Sequence, residues 1–122
     1  MKCGRLLIID DHRDSARMLA AVLELRQADL TVEVAFDGRS GLALALAQQH
    51  DAVLLDLGLP DMDGAEVATE IRRLADRACP VLIALSGGVA EVALHQSSGV
   101  FDHAFTKPVN VDRLAALLFA PC

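Results

Sequence analysis

Short apolar runs and amphipathic segments alternate along the chain. Leu6 to Ile9 is an apolar run closed by Asp10 and Asp11, and it reads as a first strand. Ala16, Leu19, Ala20 and Leu23 then recur at helical spacing, which predicts a helix from about Arg13 to Gln27. Thr31 to Ala35 alternates as a short, edge-like strand, and the Asp37-Gly38 turn leads into an Ala- and Leu-rich helix over Ser40 to Gln49. Ala52 to Leu57 is the third strand. Asp63 followed by Glu66 has capping-box spacing, so a helix is predicted from Gly64 to about Ala75. Val81 to Leu85 is a fourth strand, ending at Ser86-Gly87-Gly88. A weaker helix follows over about Val89 to Ser97, with Gly99 as its stop. His103 to Thr106 is a last short strand before Lys107-Pro108, and Asn110 caps a final helix over Val111 to Phe119. Five strands alternating with five helices predict an α/β fold, a parallel sheet built from βα units.

Within this pattern Asp56 stands out. Val53, Leu54 and Leu55, flanked by Ala52 and Leu57, form a run too short for an average helix, and Gly58, Pro60 and Gly64 soon break the chain. Such a run is a strand buried on both faces. An unpaired carboxylate inside it would cost several kcal/mol or be driven to protonate. At the carboxyl end of the strand the charge becomes tolerable, and α/β proteins place their ligands at that edge.

Composition narrows the field. At 122 residues the chain is read as one domain, 1–122, able to bury one core. Hydrophobic residues make up 53%, yet no run reaches the roughly 18 apolar residues that signal a membrane span. No charged-then-apolar leader opens the sequence, so a soluble, cytoplasmic protein is expected. Cys3, Cys79 and Cys122 are odd in number and lack CxxC spacing, as reduced thiols would be. A net charge of −6 and the lack of a Lys/Arg cluster argue against direct nucleic-acid binding. Four Phe with no Tyr or Trp leave no stacking surface for bases.

The polar residues just past the strand ends are Asp10 and Asp11, Asp56, Ser86 and Lys107. In a parallel sheet these ends share one edge, so residues distant in sequence can meet in one shallow pocket. Two like charges ~4 Å apart repel by about 4 kcal/mol at an effective dielectric near 20. Three carboxylates therefore call for a cation, and Lys107 alone does not balance them. Hard oxygen ligands partly open to water suit Mg²⁺. A metal beside a carboxylate, with Ser and Lys opposite, meets the needs of phosphoryl transfer, where the site positions groups and neutralises charge. A carboxylate is itself a competent nucleophile toward phosphorus.

The segments LLIIDD, VLLDLGLPDMDG, VLIALSGG and FTKPV, in that order, resemble the receiver domain of two-component response regulators over essentially the whole chain. The resemblance implies a flavodoxin-like, doubly wound five-stranded parallel sheet of order 2-1-3-4-5 flanked by five helices. It implies Asp56 as phosphoacceptor, supplied by a phosphohistidine on a sensor histidine kinase or a histidine phosphotransfer protein. Asp11, Asp56 and the carbonyl of Gly58 would ligate Mg²⁺, with Asp10 acting through water. Ser86 would bond the phosphoryl group and Lys107 would pair with it. A cis Lys107-Pro108 bond is also implied. The stretch GVFDHAFTKPV is similar to receivers attached to hybrid sensor kinases. One departure is Ala104, where the family carries an aromatic or large side chain three positions before the lysine. That puts the family's coupling of hydroxyl movement to an aromatic rotamer in doubt for this chain.

Plainer readings stand beside these. Asp61 and Asp63 fit loop and cap roles better than ligation. His12, His50, His95 and His103 lack metal-ligand spacing and read as surface or turn residues. An aspartate-based phosphohydrolase is disfavoured because it wants a second Asp two residues after the nucleophile, where this chain has Gly58. A receiver-like binding module that is never phosphorylated is the alternative to a phosphorelay switch acting only on its own phosphoryl group.

Overall fold

The computed structural model describes residues 2–75, 79–88 and 99–119. Five parallel strands, β1 (Arg5–Ile9), β2 (Thr31–Ala35), β3 (Ala52–Asp56), β4 (Val81–Ser86) and β5 (His103–Thr106), form one sheet of order β2-β1-β3-β4-β5. The helices are α1 (Arg13–Arg26), α2 (Gly38–Ala47), α3 (Gly64–Leu74) and α4 (Val111–Leu118). The expected helix over about Val89 to Ser97 lies outside the described residues. Gly99 has φ +78°, in the left-handed region that favours glycine. The Lys107-Pro108 bond is cis.

Apart from their end residues Arg5, Asp56 and Ser86, the central strands are apolar because helices cover both faces of the sheet. Leu6, Ile8, Leu54 and Ile83 face α1 and α4, packing with Ala16, Ala20, Leu23, Leu114 and Leu118. Leu7, Ile9, Val53, Leu55 and Leu82 face the other way, onto Val67, Ala68 and Ile71 of α3. Each fully buried Leu or Ile contributes about 1.5–3 kcal/mol relative to exposure. The sheet itself is therefore the rigid platform for whatever its edge carries. Among the polar residues of β3, only Asp56 is buried with this core, at 4% exposure.

Among the described residues, caps set three of the four helix starts. Asp37 accepts the Ser40 N–H (2.7 Å), Asp63 that of Ala65 (2.9 Å) and Asn110 that of Arg113 (3.1 Å). Helix α2 begins two residues earlier than the pattern predicts. Asp61, from the β3–α3 loop, accepts the Gly38 and Arg39 N–H groups at 2.7 and 3.0 Å and so extends its first turn. Both Asp61 and Asp63 are thus cap residues. Helix α1 differs from the others, since its N-cap residue His12 makes no side-chain cap bond.

One histidine departs from the expected surface role. His50 is buried, and its Nε2 lies 2.8 Å from Glu33 Oε1, which also takes a bond from Arg5. His12 is exposed, but its ring turns toward the sheet edge. His103 is exposed on β5, and His95 lies outside the described residues.

Candidate functional site

The hydrogen-bond ladder carries the polar residues to one edge. Asp10 N–H donates to Ala35 O (3.0 Å), extending the β1–β2 pairing one residue past Ile9. Asp56 is the last residue of β3 and lies opposite Leu85, one residue short of Ser86, the last of β4. Lys107 N–H donates to Ser86 O at 2.7 Å, so β5 delivers the lysine beside β4. The order β2-β1-β3 places the reversal of winding between β1 and β3, where Asp10 and Asp56 stand together.

Asp56 is held from both oxygens. Oδ1 accepts the Gly58 N–H at 3.0 Å, and Oδ2 accepts from Lys107 Nζ at 3.0 Å. Burial works to raise its pKa, but the Gly58 N–H and the Lys107 ammonium outweigh it and hold the carboxyl below the usual range. Lys107 Nζ also lies 3.5 Å from Asp10 Oδ2. Burial disfavours the lysine charge, yet its bond to Asp56 and the charge of Asp10 leave its pKa raised. The pair is ionised at neutral pH.

Lys107 balances only part of the wider group of charges. Ligand atoms of Asp10, Asp11, His12 and Asp56 all lie within 4.8 Å of one another. At that separation two carboxylates repel by about 3.5 kcal/mol at an effective dielectric near 20. Among the described residues Asp11 Oδ1 is buried without a hydrogen-bond partner, an acceptor left for a cation to satisfy. Three carboxylates with one orphaned oxygen, open to water on the Asp11 side, fit a hard divalent cation.

Of the residues expected at the site, Asp10, Asp11, Asp56 and Lys107 are brought together, with Gly58 bonded to Asp56. Ser86 reaches the same edge, where its Oγ accepts the Gly88 N–H at 3.1 Å in the following turn. His12 is the residue that sequence spacing missed. Its Nδ1 sits 3.1 Å from Asp10 Oδ1, 3.4 Å from Asp11 Oδ1 and 3.8 Å from Asp56 Oδ2. Adjacency to the Asp10-Asp11 pair was the available signal. A search for His-to-His spacing could not register it.

Residues 6–119 match the family model of the response regulator receiver domain. The chain belongs to that family. The response regulator ArlR of Staphylococcus saprophyticus is 32% identical over 116 residues, 95% of this receiver and 51% of ArlR. A response regulator receiver protein of Anaeromyxobacter is 39% identical over 115 residues, 93% of this receiver and 46% of that protein. The receiver thus spans about half the length of these curated relatives. Among solved structures, a CheY-like receiver domain from Methanospirillum hungatei superposes with a TM-score of 0.80 at 28% identity, covering 91% of this chain and 86% of that one. A Burkholderia pseudomallei response regulator, solved with a phosphorylated aspartic acid, calcium ion and citrate, gives 0.80 at 27% identity, covering 96% and 67%. Membership places the chain in two-component signalling. Among the described residues, no helix is long and apolar enough to cross a membrane.

Proposed function

We propose that this receiver is a phosphorelay switch in which Asp56 accepts a phosphoryl group from a phosphohistidine on a sensor histidine kinase or histidine phosphotransfer protein. The observation that carries the reading is the state of Asp56: nearly buried, yet kept ionised by the Gly58 N–H and Lys107 at the sheet edge. A desolvated carboxylate fixed from both sides is a positioned nucleophile. One carboxylate oxygen attacks phosphorus, the P–N bond to the donor imidazole breaks, and that imidazole takes up a proton. An acyl phosphate on Asp56 results. Lys107 pairs with the incoming phosphoryl oxygens, and Ser86 Oγ, now in the Gly88 turn, donates to one of them. Water later hydrolyses the acyl phosphate and returns Asp56 and inorganic phosphate.

Mg²⁺ would be held by Asp11, Asp56 and the Gly58 carbonyl, with Asp10 reaching it through water. When bound it supplies positive charge against the phosphoryl oxygens. The phosphorylated aspartic acid and bound cation of the Burkholderia protein support this reading. On α1, Met18 and Leu25 are 69% and 86% exposed. A groove of about 560 Å³ there, lined by Met18, Leu19, Val22 and Val109, opens beside Asp10 and Lys107.

Incubation with acetyl phosphate and Mg²⁺, followed by intact mass, tests the reading. One added phosphoryl group is expected in the wild type and none in Asp56→Asn. An unmodified wild type that still binds Mg²⁺ would favour the alternative, a receiver-like module that is not phosphorylated.

A further inference from the structure

The imidazole of His12 sits in the carboxylate cluster. A cation with metal–ligand distances of about 2.0–2.2 Å, as for Mg²⁺ or Zn²⁺, sets neighbouring ligand atoms roughly 3–4 Å apart. The His12 Nδ1 distances to Asp10, Asp11 and Asp56 oxygens, 3.1, 3.4 and 3.8 Å, fall in that window. The ring is placed there by the backbone. Asp10 Oδ1 accepts the His12 N–H at 3.0 Å, which fixes the first residue of the α1 entry against the cluster. The side chain then gives up the capping role that Asp37, Asp63 and Asn110 fill in the other helices.

We propose that His12 is itself a metal ligand, so that this receiver takes a nitrogen-accepting first-row ion such as Mn²⁺ in preference to Mg²⁺. The proposal rests on the reading of Asp11, Asp56 and the Gly58 carbonyl as the metal ligands, with Asp10 reaching the ion through water, and adds one donor to them. Carboxylate oxygen suits Mg²⁺ and Mn²⁺ alike, whereas imidazole nitrogen binds first-row transition ions, Mn²⁺ the weakest among them, more readily than it binds Mg²⁺. The fourth donor therefore changes which ion wins without changing the acidic frame. Coordination through Nδ1 needs its lone pair turned to the metal and the ring N–H on Nε2. His12 is two-thirds exposed, so Nε2 has water to bond.

The experiment uses Mn²⁺ and Mg²⁺ themselves. Free Mn²⁺ is followed by electron paramagnetic resonance during titration of wild type, His12→Ala and Asp11→Asn, and Mg²⁺ is measured by competition. Pulsed measurements on bound Mn²⁺ then look for modulation from a directly coordinated nitrogen. Nitrogen modulation in wild type that vanishes in His12→Ala is expected. So is a loss of about tenfold or more in Mn²⁺ affinity for that variant, with Mg²⁺ affinity changed less than threefold. Bound Mn²⁺ without nitrogen modulation, or equal Mn²⁺ affinity in wild type and His12→Ala, overturns the ligand role of His12. In that case loss of both metals in Asp11→Asn keeps the acidic site intact. A wild type that binds neither ion overturns the metal-site reading and His12 with it.

Discussion

Helix α3 starts against the backbone that carries Asp56, and Gly64 is what lets it do so. A Cβ built at Gly64 would lie 2.6 Å from the Asp56 carbonyl oxygen, 2.8 Å from Leu57 Cα and 3.1 Å from Leu57 Cδ2. Two of those three neighbours are main-chain atoms of the strand end, which cannot rotate away. Overpacking of this kind costs about 1–3 kcal/mol, with backbone collisions toward the upper end. Ala returns about 0.4–1 kcal/mol through reduced freedom of the unfolded chain. Gly64→Ala should therefore lose about 2 kcal/mol net, which for a domain of this size lowers Tm by roughly 6–10 °C. Gly87→Ala is the control, because its Cβ would meet nothing within 4 Å. It should melt at the wild-type temperature or slightly above. Far-UV circular dichroism is the assay, the chain having neither Trp nor Tyr to report by fluorescence. Since the collision lies beneath Asp56, phosphorylation of Gly64→Ala should also slow. A Gly64→Ala protein as stable as Gly87→Ala would refute the close approach of α3 to the strand end.

Asp61→Ala should lower Tm while leaving phosphorylation intact, since Asp61 caps α2. The Gly38 N–H, and then that of Arg39, hold the Asp61 carboxyl below its ordinary 3.8. Its contribution is therefore full above the unfolded pKa and is lost as pH falls through the lower folded value. The Tm gap between wild type and variant should close in acid, and a gap constant from neutral to strongly acidic pH would contradict the cap. Without metal, Asp11→Ala should be neutral or stabilising, because it removes a carboxylate with an orphaned oxygen. Millimolar Mg²⁺ should raise the wild-type Tm more than that of the variant, and equal shifts would remove Asp11 from the ligand set. At Ala104 a methyl group cannot fill the space that a large switching side chain fills. Amide shifts on adding beryllofluoride and Mg²⁺ should therefore concentrate in the loops after Asp56 and Ser86 and stay small through Val111–Leu118. Large shifts through α4 would show another side chain acting in place of the aromatic.

The fold was legible because its strands are short apolar runs with punctuated ends, and burial on both faces leaves no room for a polar residue before the edge. The acidic, hydroxyl and ammonium residues were legible for the same reason. Each follows a strand, and parallel pairing forces strand ends together. What stayed hidden depends on contacts between segments distant in sequence. The early start of α2 is set by Asp61, 23 residues beyond Gly38. Burial of His50 depends on Glu33 from the neighbouring edge strand. The orientation of His12 comes from a carboxylate that also takes its backbone N–H, a local bond that histidine spacing does not encode. Phe105 packs half-buried against the cluster under α1 and α4. Phe101 is buried on the opposite face, in the cluster that Ala104 joins.

The central claim is that Asp56, and no other carboxylate of the cluster, carries the phosphoryl group. Borohydride reduction after treatment with acetyl phosphate and Mg²⁺ converts an acylated aspartate to homoserine, and peptide mass spectrometry then locates it. The account predicts homoserine at position 56 alone, dependent on Mg²⁺ and absent from Asp56→Asn. Homoserine at position 10, 11 or 61, or its persistence in Asp56→Asn, would contradict it.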